Sequence, residues 1–283
     1  MTFEQFLEKC TAFCDSVPSN RVTAADAIRP ELAGMQIYET PIFGVASADD
    51  PIFREYLKPG IIGPEFRLPQ QWVPGAKSVI SFFAPFTEAV RASNRSADAV
   101  ISDEWLHGRI EGQAMSADLT HYMCRILEEA GFAAVGPAVD AGFRMTAPYC
   151  SNWSERHAAY AAGLGTFSLS RGLITKKGVA GRFGSVITTA EFPATERAYS
   201  NPFEYCNLCG ACERRCPAGA IDHTRGFLEG KNHPICDAFV KTTRRKPAGE
   251  KQVVRYGCGK CQAGVPCEAG IPRKRAVFCG SCH

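Results

Sequence analysis

The sequence predicts a mixed α/β (α+β) fold with a large core, residues 1–199, followed by a smaller cysteine-rich domain, residues 200–283. Three observations support this prediction. The first 199 residues combine helix-like and strand-like hydrophobic patterns and are long enough for one complete domain. Ten of the fourteen cysteines follow residue 205. Between the two parts, residues 191–201 contain Pro193 and lead directly into Pro202, as expected for a connecting segment.

The core is predicted to open with an amphipathic helix over residues 2–16. Residues 40–75 are dense in Pro and Gly and predict an irregular loop. The β-rich run at 77–84 predicts an inner strand. A long helix is predicted over 105–130, with Gly131 as its stop. Apolar residues at helical spacing in the opening segment are Phe3, Phe6, Leu7, Cys10, Phe13 and Cys14.

The sequence of the rest of the core predicts further strands and one further helix. Residues 132–139 are expected to form a strand, and residues 153–164 a helix that ends at a Gly-Leu-Gly sequence. Residues 173–174 and 183–188 are predicted to pair with each other as strands around a turn rich in Gly and Lys. The Gly-x-Gly pair lacks a third glycine and does not open a helix, so no dinucleotide-binding site is predicted.

The most informative stretch is Cys206–Cys216, which reads C-x2-C-x2-C-x3-C and is followed by Pro217. This is the spacing of bacterial ferredoxins, in which three thiolates hold one [4Fe–4S] cube and the fourth belongs to a second cube. A structural zinc ion is the alternative to a cluster, but zinc is usually bound by two separated pairs of cysteines. Four cysteines this close together, followed by proline, favour iron–sulfur chemistry.

Two cubes need eight thiolates, and four more cysteines lie downstream of the first run. By the interleaving rule, the fourth cysteine of each half serves the cluster of the other half. The two predicted ligand sets are Cys206, Cys209, Cys212 and Cys267 for the first cluster, and Cys216, Cys236, Cys258 and Cys261 for the second.

The remaining cysteines carry weaker signals. Cys10 and Cys14 lie one turn apart on the apolar face of the first helix and are predicted to pack there. Cys279 and Cys282 match a haem-attachment pattern, but that chemistry requires export. An exposed dithiol or a disordered tail is the preferred interpretation.

Composition and charge point to a cytoplasmic protein. No apolar run is long enough to span a membrane, and no secretory signal is recognised at the start of the chain. Fourteen cysteines without a signal favour metal ligation in a reducing compartment. Residues 200–283 carry 14 Lys and Arg against 7 Asp and Glu, although the whole chain has a net charge of only +3. The basic run at 244–246 predicts a solvated loop or a contact with an acidic partner or a phosphate backbone.

Several segments resemble those of epoxyqueuosine reductases and, more distantly, of corrinoid-dependent reductive dehalogenases. The resemblance extends from about Pro74 to Pro272. It implies a nitroreductase-like α/β core that holds base-off cobalamin, with an appended bacterial ferredoxin-like domain that holds two [4Fe–4S] clusters. The segments concerned are Cys236-Asp-Ala-Phe, Tyr256-Gly-Cys258-x2-Cys261-Gln262, and Glu155-Arg with Ala162-Gly-Leu-Gly165 leading into Gly184-Ser185.

The resemblance also suggests a catalytic residue. Epoxyqueuosine reductases carry a proton-donating Asp just before the Glu-Arg helix, and counting back from Glu155 puts Tyr149 at that position. Reductive dehalogenases use a tyrosine for proton donation, so Tyr149 is the candidate proton donor here. The alternative is a core aromatic residue with a hydrogen-bonded hydroxyl.

Three functions remain open at this stage. The first is an iron–sulfur oxidoreductase, whose two clusters deliver electrons to cobalamin or to a small-molecule substrate in the core. The second is an electron-transfer protein that donates to a separate corrinoid protein or reductase. The third is a tRNA-modifying enzyme acting on epoxyqueuosine. All three require a low-potential electron donor and anaerobic conditions, and none requires a membrane.

Overall fold

The computed structural model describes residues 1–247 and 250–273, so Cys279 and Cys282 lie outside the described residues. The described elements form a sheet-containing core followed by short helices and loops that carry the eight cysteines of the two predicted ligand sets. In chain order they are α1 (Phe3–Ser16), β1 (Ile42–Ser47), α2 (Ile52–Glu55), α3 (Pro69–Trp72), β2 (Ser78–Pro85), α4 (Glu88–Ser93), α5 (Asp103–Glu129), β3 (Ala134–Val135), β4 (Met145–Ala147), β5 (Cys150–Ser151), α6 (Glu155–Ala161), β6 (Gly165–Phe167), β7 (Leu173–Thr175), β8 (Gly181–Thr188), α7 (Ala211–Arg214), α8 (Gly226–Glu229) and α9 (His233–Thr242).

The core is built on an antiparallel sheet with the strand order β1-β2-β8-β3. All eight residues of β2 are buried, because this strand has a neighbour on each edge and packed side chains on each face. Ile80 and Phe82 belong to the apolar cluster that includes α1 and α5. Val79, which points to the opposite face, belongs to a second cluster around Trp153. The predicted inner strand is confirmed.

The two long helices follow their sequence signals closely. Thr2 and Gln5 form a reciprocal capping box at the start of α1. The Ser102 side chain accepts a hydrogen bond from the backbone N–H of Trp105 at the start of α5. The buried side of α5, which includes Met115 and Leu119, packs against the sheet. Both predicted helices are confirmed, with α5 beginning two residues earlier than expected.

Three local predictions were wrong. Residues 40–75 are not a continuous loop, because they contain β1 and two one-turn helices. The strand expected over 132–139 is only two residues long before the chain enters a turn. Strand β7 pairs with β6 rather than with β8, which pairs with β2 and β3. Strand pairing depends on distant parts of the chain, which local hydrophobic patterns do not specify.

The cysteine-bearing region is attached to the core by hydrogen bonds along its length. The Tyr205 N–H donates to Thr166 Oγ1 at 2.9 Å. The Asn94 side chain donates to the Cys258 carbonyl at 2.9 Å, and the Val179 N–H donates to the Cys267 carbonyl at 2.9 Å. These contacts fix the cysteine loops on the core.

None of the described helices combines the length and the apolar composition that crossing a membrane requires.

Candidate functional site

The first group of four cysteines lies around one cavity next to the β6–β7 loop. It begins in the loop before α7, where Gly210 adopts a left-handed conformation with φ 69° at the helix N-cap. Burial raises the pKa of Cys212 to about 12, and neighbouring cysteines add to the shift. The pKa of Cys267 is raised by burial and by the thiols of the other three. The cysteines that line this cavity are Cys206, Cys209, Cys212 and Cys267.

The second group of four cysteines lines a larger cavity, of about 300 Å³, between the cysteine-rich region and the core. The backbone N–H of Ala220 donates to Cys216 Sγ at 3.3 Å. Burial raises the pKa of Cys258 to about 11, and the nearby cysteine thiols contribute to the shift. The cysteines that line this cavity are Cys216, Cys236, Cys258 and Cys261.

The two groups share no cysteine, and Ser170 lines both cavities. The cysteines that line each cavity are those that the interleaving rule assigns to one cluster. Four thiols around one cavity are the donor set that a [4Fe–4S] cube requires, so the residues present fit this cofactor. That each group holds a cube remains a prediction.

Lys231 lies against the second cysteine group. Its ammonium group interacts with Cys261, Cys236 and Cys216 and donates a hydrogen bond to Cys236. Burial works to lower the pKa of Lys231, but these sulfur groups outweigh burial and the pKa is raised. A permanent positive charge therefore faces the second group.

The core side of the 300 Å³ cavity is aromatic and strongly cationic. Phe86 and Trp105 contribute ring surface. Four guanidinium groups come from four different places in the fold, namely α5, α6, the β6–β7 loop and β8. No Asp or Glu occurs among the described residues that line this cavity. The four arginines are Arg109, Arg156, Arg171 and Arg182.

Tyr149 lies at the tip of the β4–β5 hairpin and is 51% exposed, so it is not a core aromatic. Its backbone is left-handed, with φ 65°, which is costly for a bulky residue. The ring stacks on His233 with 5.4 Å between the ring centroids. An open groove of about 420 Å³ is lined by Tyr149, Lys231 and His233, and the last two also line the cysteine cavity. The predicted proton donor therefore lies at the mouth of that cavity, and its role stays a prediction.

Glu155 is a buried titratable group that the sequence identified only as part of a resemblance. Both of its carboxylate oxygens are buried without a hydrogen bond of normal geometry to the described residues. Burial raises the pKa of Glu155 to about 7, and the nearby Ser185 hydroxyl partly opposes this shift. The Ser185 Oγ also accepts a hydrogen bond from Trp153 Nε1 at 2.9 Å. At neutral pH a substantial fraction of this carboxyl group is therefore protonated.

Sequence reasoning did not identify the cationic lining. The basic residues concerned stand far apart in the chain, and no motif spacing links them. The only sequence signal was the Glu155-Arg156 pair within the family-like segment. The fold collects these side chains around the second cysteine group.

Comparison with known proteins supports the same two parts. A 4Fe–4S binding domain matches residues 203–222. An epoxyqueuosine reductase structure from Streptococcus thermophilus aligns with a TM-score of 0.50 at 16% identity, covering 83% of this chain and 64% of that protein. The Bacillus subtilis epoxyqueuosine reductase aligns with a TM-score of 0.50 at 18% identity, covering 95% of this chain and 67% of that protein.

A catabolic reductive dehalogenase aligns with a TM-score of 0.53 at 14% identity, covering 82% of this chain and 30% of that enzyme. These likenesses confirm the predicted fold class, an α/β core with an appended ferredoxin-like region. The chain spans less than two thirds of the length of the Streptococcus enzyme. A search of curated protein sequences finds no match.

Proposed function

We propose that this chain is an iron–sulfur reductase that holds two [4Fe–4S] clusters and delivers electrons to an acceptor bound in the 300 Å³ cavity. One observation carries the proposal: the second cysteine group and the cationic residues of the core line the same cavity. An acceptor in that cavity would lie beside the second cluster. The 4Fe–4S binding domain at residues 203–222 supports the iron–sulfur part of the proposal.

Each cluster, when bound, would accept and release one electron at a time. The first group of cysteines lines the other cavity, and Ser170 lines both cavities, so the two groups are neighbours; its members are Cys206, Cys209, Cys212 and Cys267. The second group would stand last in the sequence of electron carriers, because it shares the cavity with the acceptor. With a cluster bound, the Lys231 ammonium group would stabilise the extra negative charge that reduction brings to this group.

Tyr149 is the proposed proton donor. The exposed ring lies in the groove that shares Lys231 and His233 with the acceptor cavity. Burial and the positive charges of Lys231, Arg156 and Arg171 lower the pKa of His233, which keeps its ring neutral at pH 7. Stacking on this neutral ring orients the Tyr149 phenol, and the Lys241 ammonium group also interacts with it electrostatically. A reduced acceptor could then take its proton from the phenol.

Cobalamin, which the sequence resemblance implied, stays a prediction. The cavity of about 300 Å³ is partly open, so a larger ligand could extend out of it. Its core side carries four guanidinium groups, and cobalamin has one anionic phosphodiester beside its neutral amides. The proposed electron path itself needs only the two clusters and an acceptor in the cavity.

An electron-transfer protein that donates to a separate partner is the second candidate. It would need a free charged face, and the basic run at 244–246 was the sequence candidate for such a face. The Arg244 guanidinium lies over the Tyr256 ring at 5.0 Å, and Arg245 pairs with Asp103 at 3.5 Å. Two of the three basic side chains are thus engaged within the molecule, which favours the reductase.

The tRNA-modifying role rests only on the neighbours, one of which was solved with an epoxyqueuosine-modified tRNA stem loop. Complementation of a queuosine-deficient strain tests it. Restoration of the modified base would favour tRNA modification over reduction of a small-molecule acceptor.

The reductase proposal is tested by iron analysis and EPR of anaerobically reconstituted protein. We expect about eight irons per chain, falling to about four in Cys212→Ala and in Cys236→Ala, each of which removes one cluster. The matched control is Cys124→Ala, since Cys124 lies in α5 and lines neither cysteine cavity. Four irons in the wild type, or an identical loss in the control, would contradict the two-cluster proposal.

A second EPR experiment tests whether the protein binds cobalamin. Cob(II)alamin is mixed with the reconstituted protein before and after reduction. A shift of the cobalt signal to the base-off form, lost as the clusters reduce it, would support a corrinoid site next to the clusters. An unshifted cobalt signal beside well-formed clusters would contradict the corrinoid prediction and leave the two-cluster reductase standing.

A further inference from the structure

The cavity beside the second cysteine group holds more positive charge than the protein itself balances. Five cationic side chains line it, each from a different part of the fold, and no carboxylate belongs to its described lining. An oxidised [4Fe–4S] cube with four thiolates brings roughly two negative charges. About three positive charges therefore remain. The five side chains are Arg109, Arg156, Arg171, Arg182 and Lys231.

The guanidinium groups are held by backbone carbonyls rather than by acids. Arg156 Nη1 donates to the Arg171 carbonyl at 2.7 Å, and Arg182 Nη2 donates to the Arg109 carbonyl at 3.0 Å. Arg171 Nη2 donates to the Leu228 carbonyl at 2.6 Å. Within the described chain, no carboxylate is among the charged groups that act on Arg156, Arg171 or Arg182. Carbonyl contacts position these side chains but leave their charge unpaired.

Two buried nitrogen atoms lack any partner in the part of the chain that the structure describes. These are the Nε atoms of Arg171 and Arg182. A buried donor without an acceptor is costly, and a native structure usually keeps one for a ligand, a water molecule or an ion. Both side chains line the 300 Å³ cavity.

The cations also repel one another. Burial lowers the pKa of Arg156, and the charges of Arg171 and Arg182 lower it further. Burial lowers the pKa of Arg182 as well, and Arg109 acts in the same direction. The Arg156 side chain, although closely surrounded by protein, keeps contact with solvent and lines the cavity, so its charge is available to a ligand. Assembling like charges in this way lowers stability unless an anion occupies the space between them.

We propose that the acceptor is a phosphorylated compound whose phosphate group is bound by Arg156, Arg171 and Arg182. Guanidinium forks match the geometry of phosphate oxygens and bind them more strongly than neutral donors do. Phe86, Trp105 and Phe239 contribute aromatic surface to the cavity lining. They would pack against the carbon skeleton of the acceptor. This inference rests on the proposed function, because the second cluster supplies both the electrons and part of the charge balance.

Inorganic pyrophosphate is the probe that tests the site, with citrate as the carboxylate comparison. Isothermal titration calorimetry is done on anaerobically reconstituted full-length protein whose iron and sulfide content has been measured. We expect saturable binding of pyrophosphate, weakened about tenfold or more in Arg156→Gln and in Arg182→Gln. Arg182→Lys should recover part of the affinity, because it restores the charge. The matched control Arg54→Gln lies on the exposed surface and should bind as the wild type does.

The outcomes separate the anion site from the proposed function. Full cluster content without pyrophosphate binding, or equal weakening by Arg54→Gln, overturns the anion site and leaves the reductase proposal standing. Tighter binding of citrate than of pyrophosphate overturns the phosphate assignment. Pyrophosphate binding to a chain that holds no clusters after reconstitution overturns the proposed function and supports the anion site.

Discussion

Arg95 Nε donates to both carboxylate oxygens of Glu268, at 3.0 and 3.2 Å, and so joins the core to the segment that carries Cys267. Glu268 is only 6% exposed, and Arg91 Nε approaches it to 3.7 Å. The backbone N–H of Gly264 also donates to the same carboxylate. One buried acid therefore holds the last described cysteine loop in place.

Replacing this carboxylate is expected to loosen the first cysteine group. Glu268→Gln removes the one well-buried carboxylate of this network and leaves Arg91 and Arg95 with only the more exposed acids Glu39 and Glu88, at a cost of roughly 2 kcal/mol. We expect lower thermal stability and reduced iron content of the first cluster, measured by anaerobic thermal unfolding and EPR. The control Glu229→Gln removes an exposed pair with Arg225 and should change stability by less than about 0.5 kcal/mol. Equal effects of both variants would refute this role.

The second prediction concerns the pH dependence of stability through Glu155. The folded protein holds this proton more tightly than the unfolded chain, since burial raises the pKa from 4.5 to about 7. Stability should therefore be highest below about pH 4.5 with respect to this group, fall as the pH rises to about 7, and level off above it. The total loss is roughly 3 kcal/mol.

Glu155→Gln should remove this part of the pH dependence, because an amide does not ionise. The measurement is anaerobic urea unfolding of both proteins between pH 5 and pH 8. The difference in unfolding free energy should move in favour of the variant as the pH rises. Parallel curves for the two proteins would show that Glu155 is not the responsible group.

The third prediction concerns the charge of Lys231. Lys231→Gln removes the ammonium group that interacts with Cys216, Cys236 and Cys261, so reduction of the second cluster becomes less favourable. We expect its reduction potential to fall by roughly 50 mV, the equivalent of about 1 kcal/mol of Coulomb energy for one electron. An EPR-monitored redox titration measures it. Lys58→Gln, an exposed pair with Glu55, is the control and should leave both potentials unchanged.

The fourth prediction uses two glycines with similar backbone conformations. Gly259 lies between Cys258 and Cys261 with φ 69°, and a Cβ there would come within 2.0 Å of the Trp105 ring. Gly219 has φ 60° and nothing within 4 Å of the same position. Gly259→Ala should therefore lose the second cluster, with iron content falling by about half, while Gly219→Ala should retain both clusters and lose only about 1 kcal/mol from backbone strain. Retention of full iron by Gly259→Ala would contradict the close packing of this loop on α5.

Part of the fold was predictable because local patterns determine local structure. The capped helix at 3–16, the fully buried strand at 78–85 and the long helix at 103–129 all follow from spacing, capping residues and composition. The partners of β7 and the strand within residues 40–75 did not follow. Strand pairing there depends on residues far away in the sequence, and Pro and Gly on either side of the Ile42–Ser47 strand concealed it.

The sequence by itself determined the iron–sulfur character of this protein. Cysteine spacing over Cys206–Cys216 is a local property, because a cube needs several thiolates within a few residues of one another. Only the tertiary structure decided what faces the second cysteine group. Arg109, Arg156 and Arg182 come from three separate elements, and the packing of the core against the cysteine loops brings them to one cavity. No sequence pattern predicts that arginines from distant parts of the chain will meet in the fold. Each arginine by itself has the local sequence context of an ordinary surface residue.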